Sequence, residues 1–393
     1  MKDKLIQAIG YHIITISIAF CITYVGLYFY NNSLNIKENS TVKIIRGNQT
    51  IEKRLIGNWE ISRDPIELVG SLSNDKYLTM MGSSELGNAS PYQPYNFLPD
   101  SLNFPVAAFG HAHHQSFAIL CELLAMQKHL KQSKICIILS PGWFEKEGTN
   151  IEAFIEFIRP DFLKSIIHNE KIDMKYKLEI GRYINENYDL IENPTPEFSF
   201  FQNLNQNYFY LSDIKKRLLL SKISNVEYRV KHAVKPEKEV KDVKWKQSRK
   251  NLQMAFLKSI KSNKFYIQDS YYTEFLLHDG KYKRGNTDDL DVTSNRELED
   301  VKLLIGFLKS QNCDASFLIS PLNPYHYKDL KNFDPIVAEI LKETKKNNFP
   351  CLNLFDKDPK KFEPATLLDI MHLNDYGWMK VNEFLYTTYK KKK

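Results

Sequence analysis

The sequence predicts an α/β protein: a doubly wound parallel sheet, interrupted by a long helical insertion and preceded by one N-terminal transmembrane helix. Three observations carry this expectation. Short apolar runs ending in small residues alternate with helical patterns at 77–140 and again at 298–389. Between about 150 and 300 the alternation gives way to long helical stretches and charged linkers. At the amino end, residues 9–30 form a run of 22 residues without Asp, Glu, Lys or Arg.

That run, IGYHIITISIAFCITYVGLYFY, reaches the roughly 20 residues needed to cross a bilayer. Lys2 and Lys4 precede it, and Tyr24, Tyr28 and Tyr30 stand where an interface anchor would. A cleaved signal peptide is the competing reading. The run is long for such a peptide's apolar region, and the following NNSLNIKENS offers no small-x-small cleavage site. Residues 1–30 are therefore expected to be a cytoplasmic stub and an uncleaved signal anchor. The protein would sit in the cell membrane as a single-pass protein with a cytoplasmic N-terminus. Residues 31–75 read as stalk and lead-in, and 76–393 as an extracytoplasmic catalytic domain with its insertion at about 150–300.

Within that domain, Tyr77-Leu-Thr-Met-Met-Gly-Ser-Ser reads as a buried strand entering a tight turn. Phe104-Pro-Val-Ala-Ala-Phe-Gly is a second strand, and Lys134-Ile-Cys-Ile-Ile-Leu-Ser a third, closed by Pro141-Gly142-Trp143-Phe144. Between them, 116–130 is helical, with Phe117, Leu120, Cys121, Leu124 and Met126 on a mostly apolar face. In the insertion, the apolar stretch 151–158 is cut by Pro160, and the Lys-rich 231–250 is expected to be exposed. The framework resumes with a helix at 298–310, a strand at 315–320, a helix at 335–346, a strand at 351–355 and a last helix at 376–389. Such alternation argues for a parallel sheet covered on both faces, with its chemistry just beyond the carboxyl ends of the strands.

The composition sets limits. At 43% hydrophobic and 26% charged over 393 residues, the chain is not disordered, collagenous, a disulfide miniprotein or a multispan transporter. Fifty-four basic against 47 acidic residues leave +7, a modest excess without a nucleic-acid-binding motif. Aromatic residues make up 13%, which reflects either aromatic binding surfaces or, with the abundant Lys, Ile and Asn, a low-GC genome. The terminal Lys390, Lys391, Lys392 and Lys393 read as a solvated tail, or as an attraction to anionic polymer or headgroups. The five cysteines show no zinc-like spacing; isolated buried thiols are the default, with one disulfide open to them in an oxidising compartment.

Three elements could carry chemistry. In Gly82-Ser83-Ser84-Glu85-Leu86, a serine at a strand-to-helix turn can present its hydroxyl at the mouth of a sheet, with a backbone N–H to receive an oxyanion. Ser and Gly are also ordinary turn residues. In Asp369-Ile370-Met371-His372, acid and imidazole three residues apart in one helical or 3-10 turn share a side, so the carboxylate can orient the ring toward a nucleophile. The plainer reading is a cap beside a solvated histidine, and Asn374 or Asp375 could separately cap the last helix. In Gly110-His111-Ala112-His113-His114, glycine permits close backbone approach. Its three histidines serve better as pocket walls or donors than as metal ligands, since no carboxylate or cysteine pattern completes a site.

The order of these elements resembles that of SGNH/GDSL hydrolases, a flavodoxin-like doubly wound superfamily in which the serine follows the first strand and Asp and His close the chain. Gly82-Ser83-Ser84-Glu85-Leu86, Ser140-Pro141-Gly142-Trp143-Phe144 and Asp369-x-x-His372-x-x-x-x-Gly377-Trp378, behind one membrane anchor, resemble the DltD family of D-alanyl transfer proteins in teichoic acid (including lipoteichoic acid) D-alanylation. The resemblance spans nearly the whole chain. It implies Ser84 as nucleophile, His372 as base and Asp369 as its orienter. It also implies an oxyanion and substrate pocket at Gly110, His111, His113, Gly142 and Trp143. Two departures stand out: Gly142 replaces the family's usual Gln in S-P-Q-W-F, and the turn after the second strand is rich in histidine.

The resemblance implies an acyltransferase that forms an acyl-Ser84 and passes a D-alanyl or similar group from an ester or thioester donor to an envelope polymer. No metal or organic cofactor is called for. Its partners would be a membrane-bound O-acyltransferase, the D-alanyl donor, the polymer acceptor and the membrane, with no nucleic acid. An esterase or thioesterase removing acyl groups from envelope glycans or carriers uses the same serine chemistry. A non-catalytic scaffold docking an acyl carrier or acyltransferase is the reading from another class, and the intact Ser84, His372 and Asp369 set argues against it.

Overall fold

The computed structural model describes residue 11 and residues 14–25, 77–87, 90–102, 104, 106–110, 112–144, 148–149, 154, 158, 160–191, 194–207, 242–261, 263–278, 280–285 and 293–390. The stalk at 31–75, most of the Lys-rich 231–250, His111 and the last three lysines lie outside them. Of the apolar run 9–30, residue 11 and residues 14–25 are described. They are helical, with Ile14, Phe20 and Tyr24 exposed. No helix among the described residues is long and apolar enough to cross a membrane.

The chain parts into two compact units, one from Met1–Ser40 and Leu163–Arg229, the other from Thr41–Phe162 and Val230–Lys393. The second holds the sheet. Strands β1 (Leu78–Gly82), β2 (Val106–Gly110) and β3 (Lys134–Leu139) precede the insertion. Within it lies a hairpin, β4 (Leu277–His278) and β5 (Lys281–Tyr282); β6 (Asp314–Ile319) and β7 (Cys351–Asn353) follow. The main sheet runs β2-β1-β3-β6-β7 with every pairing parallel. The order reverses beside β1, where doubly wound sheets open a crevice at the strands' carboxyl ends. β1 and β2 are buried at every residue, and β3 and β6 at all but the first. Their runs are continuously apolar because both faces are covered.

The helices, in chain order, are α1 (Pro94–Leu102), α2 (Ser116–Ala125), α3 (Pro160–His168), α4 (Met174–Glu186), α5 (Pro196–Asn207), α6 (Trp245–Ser259), α7 (Arg296–Ser310), α8 (Asp334–Lys346) and α9 (Asp375–Lys390). On one face, Leu78, Met80, Ala108, Cys136, Ile138 and Leu318 pack against Leu98 of α1 and Trp378, Val381 and Leu385 of α9. The alternate residues Met81, Ala107, Ile137 and Phe317 are equally buried, so the opposite face is covered too. There α2 packs against α7, and α2 is buried over its whole length rather than along one stripe as its sequence predicts. Asn295 opens α7 by accepting from the Leu298 N–H at 2.9 Å and donating to the Phe144 carbonyl at 3.0 Å.

Several boundaries differ from expectation. Pro160 opens α3 rather than only ending an apolar run, because its missing N–H is an orphan at a helix start anyway. The last strand is three residues long and partly exposed, as befits a sheet edge. All five cysteines are free thiols, and Cys21 is exposed. In the other unit, α4 and α5 pack together through Ile180, Tyr183, Ile184, Phe198 and Phe201, all buried.

Candidate active site

Ser84 follows β1 after one residue and opens a 3-10 turn, Ser84–Leu86. The turn is pinned from three sides. The Glu85 carboxylate accepts the Ser83 N–H at 2.9 Å, Gln93 Nε2 donates to the Glu85 carbonyl at 2.9 Å, and His114 Nδ1 donates to the Gly82 carbonyl at 2.9 Å. Gly110 stands opposite Gly82 in the β1–β2 register. A Cβ there would lie 2.5 Å from the Gly82 oxygen and 2.9 Å from that of Ser83, so any side chain would push the turn away.

The second half of the site comes from the far end of the chain. Expected as a helical or 3-10 turn, 368–372 is instead a hairpin-like loop. Leu368 N donates to the His372 carbonyl at 2.8 Å, and Leu367 bridges Leu373. Asp369 closes the loop from inside, its Oδ1 accepting from the N–H groups of Met371 at 2.8 Å and His372 at 2.7 Å. An aspartate can form such a turn with its own backbone two and three residues on. Outside contacts brace the loop: Gln268 N donates to the Leu368 carbonyl at 2.8 Å and Asn323 N to that of Ile370 at 2.9 Å. Gly377, where a Cβ would meet the Thr366 oxygen at 2.5 Å, lets the first turn of α9 close on it.

The two halves meet through side chains. His372 Nδ1 donates to Asp369 Oδ2 at 2.7 Å, and the Ser84 hydroxyl donates to His372 Nε2 at 2.9 Å. The His372 side chain is 22% exposed and that of Asp369 11%, so the ring is reachable while its orienter is shielded. Burial pulls the His372 pKa down, but the Asp369 hydrogen bond and charge, with the Glu85 charge behind, raise it above the ordinary histidine value. Glu85 is wholly buried, and burial raises its carboxyl pKa. A serine hydroxyl on the free nitrogen of a carboxylate-held imidazole is the arrangement of a nucleophile with its general base.

Of the other expected pocket residues, His113 follows the carboxyl end of β2, and Gly142 and Trp143 follow that of β3, the two strands that flank β1. Gly142 is exposed and Trp143 buried in the turn Pro141–Trp143 after β3; among the described residues no hydrogen bond ties either to Ser84 or His372. His113 is exposed in the left-handed region, φ 64°. No metal-binding group of His, Cys, Asp or Glu occurs among the described residues. The histidine at the heart of this stretch is His114, which the sequence reading did not single out. It is 2% exposed, and its Nε2 lies 3.2 Å from Glu122 Oε1. Both ring nitrogens face an oxygen acceptor, so the imidazolium is the form that fits. Burial opposes that charge, but Glu122 overcomes it and raises the pKa. Glu85 also escaped notice, although its place beside the turn serine was the available signal. A cavity of about 440 Å³ lined by Tyr92, Phe97, Val243 and Gln247 includes none of Ser84, Asp369 and His372.

Known proteins are similar to this chain in sequence over most of its length. Protein DltD of Staphylococcus aureus is 23% identical over 325 residues, covering 79% of this chain and 80% of that protein. Protein DltD of Bacillus subtilis is 21% identical over 333 residues, covering 81% and 84%. Protein DltD of Lacticaseibacillus rhamnosus is 22% identical over 341 residues, covering 80% and 78%. The family model described as DltD protein matches residues 69–390, from ahead of β1 to the last residue of α9. By that match the chain belongs to the DltD family.

Proposed function

We propose that this chain is a membrane-anchored, extracytoplasmic serine acyltransferase of SGNH-like fold that passes D-alanyl groups to a cell-envelope polymer, teichoic acid. The observation that supports it is the hydrogen-bond chain Ser84–His372–Asp369 in a member of the DltD family. Residues 9–30 serve as the anchor, and a membrane-bound O-acyltransferase is the partner on the donor side.

In the first half-reaction Ser84 Oγ attacks the carbonyl carbon of a D-alanyl ester or thioester while its proton passes to His372 Nε2. The tetrahedral oxyanion is received by the Ser84 N–H, which opens its turn and has no earlier carbonyl of the turn to bond. The carrier's oxygen or sulfur leaves with the proton from His372, and an ester to Ser84 remains. In the second, a polymer hydroxyl gives its proton to His372 Nε2 and attacks the ester carbon. The bond to Ser84 Oγ breaks, and Oγ takes the proton back. Asp369 stays ionised and stabilises the imidazolium throughout.

A serine-directed fluorophosphonate tests the nucleophile on the purified full chain. Wild type and Ser83→Ala are expected to label and Ser84→Ala to stay blank. Transfer from a D-alanyl thioester should fall by on the order of 10⁴ to 10⁶ in Ser84→Ala and His372→Ala. Unlabelled wild type, folded and pure, would return the chain to the scaffold reading.

A further inference from the structure

We propose that the basic and aromatic surface of residues 258–285, beside the loop that carries Asp369 and His372, docks a polyanionic chain of phosphodiester-linked polyols. This rests on the acyl-transfer reading above and gives its acceptor a place. The segment holds six basic residues (Lys258, Lys261, Lys264, Lys281, Lys283, Arg284) against three acidic ones. Of the acids, Asp269 is already engaged, accepting from Lys261 N at 2.7 Å and Asn263 Nδ2 at 2.8 Å. Lys264, Lys281, Lys283 and Arg284 are exposed, and among the described residues none has a carboxylate within ion-pair distance. Elsewhere Lys302, Lys342, Lys357 and Lys380 each meet one.

The segments that carry these cations are held together by rings. The Phe265 and Tyr282 centroids are 4.7 Å apart, so the chain neighbours Lys264 on one side and Lys281 and Lys283 on the other flank a packed pair. Arg284 donates to the Tyr327 carbonyl at 3.1 Å. Tyr271 stacks on Phe275 at 5.0 Å, and Phe275 is 59% exposed, an apolar face on which a carbon skeleton between phosphates can lie. The same cluster reaches the catalytic loop: Phe265, Tyr271, Tyr282 and Tyr327 pack with Ile370 and Met371, the two residues between Asp369 and His372. The Phe265 carbonyl accepts from Asn323 Nδ2 at 2.9 Å, and Asn323 N bonds the Ile370 carbonyl. An acceptor must bring a hydroxyl to acyl-Ser84, so cations next to this loop favour a polymer strand over a membrane surface, which has no need of that position.

The test is binding, measured apart from catalysis. A fluorescent synthetic oligo(glycerol phosphate) is titrated into the full-length Ser84→Ala chain in neutral detergent at several salt concentrations. Reversing Lys264, Lys281, Lys283 and Arg284 to Glu together should weaken binding by at least about tenfold. It should also flatten the log–log salt slope by roughly 0.7 per lost contact, as for other single-stranded polyphosphates. Replacing the three lysines by Arg should keep binding. Where the Glu set fails to fold, the Gln set removes charge without reversing it and is read instead. A control set, Lys128, Lys131, Lys309 and Lys345 to Glu, lies at the opposite, amino edge of the sheet and should leave binding within about twofold, contacts there being none. Equal loss in the control set, undiminished binding in the Glu or Gln set, or equal binding of an uncharged oligoglycerol would each overturn the proposal. So would binding to phosphatidylglycerol vesicles without binding to the oligomer, which marks a membrane-facing surface. Fluorophosphonate labelling of wild-type Ser84 without oligomer binding would end this proposal alone. Oligomer binding without labelling would keep it and end the acyl-transfer reading.

Discussion

His372 sits between opposing influences, and its titration reports on both. Burial drives the ring toward neutrality; Asp369 and then Glu85 drive it toward the cation, and the cation wins. A base must be neutral to take the serine proton. The kcat/KM on a model ester should therefore fall with unit slope as pH drops through a midpoint above the ordinary value of about 6.5. Asp369→Asn should lower the plateau and move the midpoint down, and Glu85→Gln should move it down by less, since its charge acts without a hydrogen bond to the ring. Rates are corrected with a Ser84→Ala blank at every pH. A profile flat from about pH 5 to 8 would show that no histidine base titrates. At this scale the sequence is most legible in the acid and the imidazole, because three residues of spacing left them few places to be apart. The same spacing misled about the backbone: the side chain of Asp369 bonds its own chain and makes a hairpin-like loop where a helical turn is expected.

Elements were legible where their apolar pattern is strong and opaque where chemistry overrides pattern. β1, β2, β3 and β6 read as short apolar runs because a parallel sheet leaves neither face to water. α1 escaped, since Pro94 and Pro99 look like breakers; the first suits a helix start, and the helix survives the second as one short buried segment. The β4–β5 hairpin escaped because its strands have two residues each, although the sequence pair Asp-Gly ending at Gly280, which the structure holds at φ 72°, is a hairpin signal. The strand-to-helix tie at His114 has a consequence for pH. Its folded pKa is raised, so the stability it contributes is fully present below the unfolded value of about 6.5 and is lost as pH rises through the folded value. Glu297, raised to about 7 by burial, and His372 add the same sign. His114→Gln should thus be most destabilising at acid-to-neutral pH and approach wild type in alkali. Melting temperatures of the two chains from pH 6 to 9 check this; a constant difference would mean that His114 does not titrate in that range.

For the molecule as a whole, the proposed anchor at 9–30 makes a topological prediction. Protease added to intact protoplasts or spheroplasts should digest the domain from residue 77 onward and spare only a short membrane-protected fragment. Full protection with the membrane intact would overturn an extracytoplasmic domain. The anchor is proposed from hydropathy alone, because a bilayer demands length and the absence of charge, and nothing finer. The insertion gave no such purchase. Its aromatic residues could be read as composition, and only the fold brings 265–282 against 370–371, a hundred residues apart in the chain.

The bond between Ser84 and His372 joins residues 288 positions apart, with the base in the last loop before the final helix. A chain made from its amino end carries the proposed nucleophile long before its partner exists. At about 5–20 residues per second, those 288 positions take roughly 15 to 60 s to synthesise. During that interval the serine is an ordinary alcohol. In the proposed transferase, Ser84 gains its base only once the loop of His372, against which Gly377 lets the final helix close at Thr366, has been made and folded, so the order of synthesis would delay acyl chemistry.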